Sequence, residues 1–146
     1  MTITQEEAKQ LIDMIKKYIG DQGMEFPNTK GKLEFEVQGE KRGNNFVVNI
    51  ERKGPDAKKF SYQGRSKNKN VILMRIDINE TGVHQNPSGE KIKGSHIHLY
   101  TEGYDTRIAI PINWDHKDPF DACFEFFEKF HIVEPPKFVY KPNLDL

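Results

Sequence analysis

Polar and apolar positions change period along this chain, and each change marks an element. Thr4 and Glu7, three residues apart, form a capping box, and Ala8, Leu11, Ile12, Ile15 and Ile19 follow at helical spacing as far as Gly20. The spacing predicts an amphipathic helix over residues 5–19 with Lys9, Asp13, Lys16 and Lys17 turned outward. The period then drops to two. Leu33, Phe35 and Val37 alternate with polar residues, and after a polar turn from Gly39 to Asn45 so do Phe46, Val48 and Ile50, as in a hairpin with one buried face. A Gly54-Pro55 turn leads to a short strand over Lys59–Gln63, followed by a basic loop from Gly64 to Asn70.

Val71–Asn79 reads as a central strand, apolar on both sides at first and then split. Met74, Ile76 and Ile78 fall on one side, Leu73, Arg75 and Asp77 on the other. A long connection, Glu80–Lys93, carries His84 and an Asn86-Pro87-Ser88-Gly89 turn. In Gly94–Tyr100 the period of two sends His96, His98 and Tyr100 to one side and Ile97 and Leu99 to the other. The two histidines would stand about 6.5–7 Å apart along the strand. A four-residue loop, Glu102–Asp105, pairs Thr101 with Thr106 and sets Ile110 against Ile97, Ala109 against His98, and Pro111 against His96. Small residues opposite the imidazoles leave room beside them. The last helix starts at Asp118-Pro119, buries Phe120, Cys123, Phe124, Phe127 and Phe130, and stops before Pro135-Pro136. The order predicts one α+β domain over residues 1–146. An antiparallel sheet of five to six strands would carry the N-terminal and C-terminal helices packed on one face.

Composition narrows the class. One cysteine, Cys123, excludes an internal disulfide and falls on the apolar helix face as a small buried hydrophobe. The N-terminal residues lack a basic-then-apolar leader and no run could span a bilayer, which predicts a cytoplasmic protein without a membrane partner. Formal charge is zero, with 22 Lys and Arg against 22 Asp and Glu. Bases nevertheless gather between Lys41 and Asn70, a flank able to hold phosphates.

The candidate chemistry lies in Arg75, Asp77, His84, His96, His98, Tyr100 and Arg107. A metal site could draw on His96 and His98 with His84 or Asp77. The spacing of His96, His98 and Glu102 approaches the first cupin motif, but the glycine spacing differs, a second motif is missing and Glu102 falls in a loop. The preferred expectation is cleavage of a phosphodiester without a metal or cofactor. His96 and His98 would serve as acid and base, Arg75 and Arg107 would neutralise the phosphate, and Tyr100 and Asp77 would support them. The competing expectation is a protein that binds a partner without catalysis, with the histidines as sheet residues.

The strings Leu73-Met74-Arg75-Ile76-Asp77, His84-Gln85-Asn86-Pro87-Ser88-Gly89, Gly94 to Tyr104 and Ala109-Ile110-Pro111-Ile112 together resemble a family of small uncharacterised bacterial and phage-associated proteins. The order Arg-x-Asp, His, His-x-His is also similar to toxin components of toxin–antitoxin modules. The first resemblance adds His84 and Asn86 to the candidate substrate-binding positions. The second implies an endoribonuclease whose partners are RNA and an antitoxin. For the non-catalytic reading, the partner would be a target enzyme.

Overall fold

The computed structural model describes residues 2–54 and 59–139. Pro55, Asp56 and Lys58, from the turn and the basic flank, and Tyr140 lie outside them.

Helix α1 spans Gln5–Asp13, capped as the sequence predicts by the Thr4 hydroxyl, which accepts from the Glu7 amide at 3.1 Å. It ends well short of residue 19. Met14 is already extended, and Lys16–Tyr18 form strand β1. On a strand the inward positions alternate, so Lys16, expected outside, goes inside, while Ile15 and Ile19 are exposed. Lys16 is fully buried, and its Nζ donates to the carbonyls of Ile12 (2.9 Å), Met14 (2.8 Å) and Phe130 (2.7 Å) over the rings of Phe46 and Phe130. A buried ammonium is tolerable here because three acceptors and two aromatic faces replace its water.

After β2 (Met24–Glu25), the hairpin is β3 (Gly31–Gly39) and β4 (Asn45–Arg52), with Leu33 opposite Ile50 and Val37 opposite Phe46. Then come β5 (Phe60–Ser66), β6 (Val71–Ile78), β7 (Val83–Gln85), β8 (Lys91–Lys93), β9 (His96–Leu99) and β10 (Ala109–Pro111). Helix α2 (Pro119–Lys129) precedes β11 (Ile132–Glu134) and β12 (Phe138–Val139). Asp118 caps α2 by accepting from the Asp121 amide at 3.0 Å.

The expectation of a five- to six-stranded antiparallel sheet with both helices on one face is overturned. The main sheet has eight strands in the order β10-β9-β6-β5-β4-β3-β1-β11, and it is mixed, because β1 pairs in parallel with β11. The additional strands, β1 and β11, come from segments that read as the ends of the first and second helices. Three residues carry too few alternations to announce a strand; only pairing reveals them. The helices do not simply flank one side of such a sheet; α1 lies against β6, whereas α2 packs against β5 and β11. Two further pairs, β2 with β12 and β7 with β8, form separate two-stranded sheets.

One side of the central strands, α1 and α2 make the core. Phe126 stacks on Tyr62, Phe130 meets Phe46 edge-on, and Phe127 meets Phe35. Gly64 admits the Phe130 ring, since a Cβ there would lie 2.5 Å from it. Cys123 is fully buried, and burial pushes its thiol far above the ordinary value. No helix among the described residues is long and apolar enough to cross a membrane.

Candidate functional site

The site grows from the pairing of β6 with β9. Arg75 stands opposite His98 and Asp77 opposite His96, so alternation alone brings the four polar side chains to the side away from Ile76 and Ile97. On the other edge of β9, Ala109 faces His98 and Pro111 faces His96, the register the hairpin predicts. Nearer the loop the register slips by one, and Thr101 bridges Asp105 rather than Thr106.

Both histidines are buried, at 7% and 6% exposure, despite lying on the polar side of the sheet. Their cover is the connection that the sequence leaves without structure. Within it β7 and β8 form a small arm, and the His84 ring on β7 lies 5.5 Å from His96 and 4.8 Å from His98. The arm is fastened by Asn86, whose side chain accepts from the Ala109 amide at 2.7 Å and donates to its carbonyl at 3.0 Å, pairing with β10 as a strand would. Asn86 therefore holds the arm and stands outside the cleft.

Backbone carbonyls fix all three rings. His96 Nδ1 donates to Gly94 O (2.9 Å), His98 Nδ1 to Thr106 O (2.7 Å) and His84 Nε2 to Arg107 O (2.9 Å). A carbonyl can only accept, so those nitrogens carry the protons. The Nε2 atoms of His96 and His98 converge on one oxygen, Asp77 Oδ2, at 3.3 and 3.4 Å. Asp77 also accepts from Arg75 Nε at 3.1 Å, and Lys53 Nζ is 3.8 Å away. Burial pushes the Asp77 carboxyl up, but the His96 and His98 hydrogen bonds, with Arg75 and Lys53, more than reverse it and hold it well below the usual range. The same Asp77 bond raises His96 above the ordinary imidazole value against the opposing effect of burial.

The cleft has a volume of about 400 Å³. Lys53, Lys59, Arg75 and Arg107 line it beside Asp77 and the three histidines, so it is cationic on a chain of zero net charge. A groove of about 260 Å³ runs on from it over the polar faces of β4 and β5, past Asn49, Ser61 and Gln63, sharing Lys53 and Arg75. The rest of the basic flank is partly neutralised, since Lys67 pairs with Glu36 and Lys69 with Glu7.

Tyr100 is not in the cleft. Its hydroxyl donates to Ile3 O at 2.7 Å and accepts from Ile3 N at 3.1 Å, and the residue is 1% exposed. β9 ends at Leu99, so the alternation that would have carried Tyr100 beside the histidines stops one residue too soon. Two contributors carry no periodic signal in the sequence, Ser95 and Asp115. Asp115 Oδ1 accepts from Ser95 N at 2.8 Å, and Ser95 Oγ accepts from Asn79 N at 3.2 Å, fixing the entry to β9. The one pointer to them in the sequence is Gly94, which has φ +88°. A Cβ there would meet the Asp115 carboxylate at 3.2 Å. Gly94→Ala is expected to cost about 1–2 kcal/mol through left-handed strain and that close approach, measured by chemical denaturation.

An α+β chain with a cationic histidine–carboxylate cleft at one end of a mixed sheet is thus defined. Residues 3–132 match DUF6978, a family of unknown function, and the chain belongs to it. No curated protein matches the chain, and no solved structure does.

Proposed function

We propose that the cleft binds single-stranded RNA and cleaves its phosphodiester bonds, the activity of a toxin-like endoribonuclease. The observation that carries this reading is the continuity of the cationic cleft with the polar groove through Lys53 and Arg75. A compact anion would need only the cleft; an adjoining groove lined by two amides, a hydroxyl and the cations Lys32, Lys53 and Arg75, with its one carboxylate, Glu51, paired to Lys32, suits a polymer with repeated phosphates. Arg75, Lys53 and Lys59 hold the phosphates, and Arg107 stands with them at the cleft.

The histidines take a different part from a separate acid and base. In-line attack places acid and base on opposite sides of phosphorus. One ring nitrogen of each of His84, His96 and His98 lies within 4.8 Å of the others, and two of them share Asp77. They therefore act as one cluster, and activation of the attacking oxygen belongs to that cluster.

The test uses a labelled single-stranded RNA with the full chain, read for binding and for cleavage across a salt series. The double variant Arg75→Ala with Lys59→Ala is expected to abolish cleavage and to flatten the salt slope by about 0.7 for each phosphate no longer neutralised. Binding that ignores both the salt and the variant overturns the reading and leaves the chain as a partner-binding protein.

A further inference from the structure

His96 and His98 turn Nδ1 to backbone carbonyls and aim both Nε2 atoms at one carboxylate oxygen, with ring centroids 4.9 Å apart. A single cation shared among those nitrogens and the carboxylate would satisfy every one of these donor atoms.

We infer that His84, His96 and His98, with Asp77, hold one divalent transition-metal ion. Tetrahedral bonds of about 2.0–2.1 Å place neighbouring donor atoms about 3.3 Å apart. Asp77 Oδ2 already stands 3.3 and 3.4 Å from the two Nε2 atoms, and ring nitrogens of all three histidines lie within 4.8 Å of one another. The carbonyls of Gly94, Thr106 and Arg107 provide the outer-shell arrangement that ligating histidines need, each fixing a tautomer and a ring plane. Three imidazoles and one carboxylate, without a thiolate, select a borderline ion such as zinc over magnesium or calcium, which take oxygen ligands. The ligands sit on three elements, β6, β7 and β9, so the ion would also pin the arm over the sheet. Within the RNA reading, on which its catalytic meaning rests, an ion whose four tetrahedral positions are filled by protein would have to take an RNA oxygen as a fifth ligand, and would act on it as a Lewis acid.

The experiment needs no RNA. The full chain, stripped with a chelator, is titrated with zinc chloride by calorimetry at neutral pH, and cobalt(II) is added in parallel to read coordination from its visible absorption. One zinc per chain is expected, with a Kd tighter than about 1 μM and a tetrahedral cobalt spectrum. His84→Gln, on the half-buried arm, should keep the circular dichroism of the parent and weaken zinc by more than the ~10–100-fold that losing an outer-shell partner costs. His96→Gln should do the same, and if that buried substitution unfolds the chain, His84→Gln alone decides. Zinc binding weaker than about 100 μM, or undiminished in His84→Gln, overturns the site. Zinc bound with no RNA cleaved would sink the RNA reading alone, and RNA cleaved by a chain that binds no zinc would sink this inference alone.

Discussion

Asp77→Ala is expected to destabilise the metal-free chain by about 2 kcal/mol and to disperse the histidine cluster. Removing one member of a buried charge group ordinarily costs about 3–5 kcal/mol, because the partner charge is left stranded. Here two partners have an escape. Arg75 and Lys53, with side chains 39% and 40% exposed, can turn to water. The loss should therefore fall below the full penalty. Asp77→Asn keeps the shape and should retain more stability than the alanine, while still losing the negative charge that gathers the rings. Guanidinium denaturation in the presence of a chelator measures both variants, and an alanine variant as stable as the parent would show that the carboxylate does not organise the cluster.

Lys16→Met should have the larger effect, about 3 kcal/mol at pH 6. The thioether fills the space, yet the carbonyls of Ile12, Met14 and Phe130 lose their donor in a dry site. Its pH dependence has a definite sign. Burial pulls the Lys16 ammonium down to about 7 from 10.5. Between those values the unfolded chain keeps a proton that the folded chain has released, so stability due to Lys16 rises with pH across this window. Below pH 7 both states are protonated and the contribution is level. The gap between parent and Lys16→Met should widen from pH 7 towards pH 10, as measured by urea denaturation at a series of pH values. A constant gap would mean that Lys16 stays charged inside the fold.

Much of the polar side of the sheet was legible, because it depends on parity. Arg75, Asp77, His96 and His98 sit at positions where a period of two decides the face, and the pairing of β9 with β10 followed from counting outward from one loop. What escaped was tertiary. Ile15 and Ile19 continue the helical spacing of α1, yet two neighbours in the sheet, β3 and β11, draw that segment into a strand, and local pattern contains neither of them. Tyr100 left the cluster because β9 stops one residue before it and the Ile3 backbone, 97 residues distant in sequence, takes its hydroxyl. His84 joined the cluster through a short arm that composition presents only as turns. In the first two cases the deciding partner is remote along the chain; in the third the pairing is local, but strands of three residues are too short for periodicity to show.

The parallel pairing of β1 with β11 also bears on how the chain emerges during synthesis. Lys16 is made early, but its carbonyl partner at Phe130 and the strand beside β1, residues 132–134, are made more than a hundred residues later. At about 5–20 residues per second, the amino-terminal segment waits several seconds with a charged lysine in water and one side of a strand unpaired. A nascent chain in that interval presents an open edge to its neighbours on the same message, and the lysine on it keeps that edge hydrated until α2 arrives. A residue that ends fully buried thus begins as the guard of a seam that closes late.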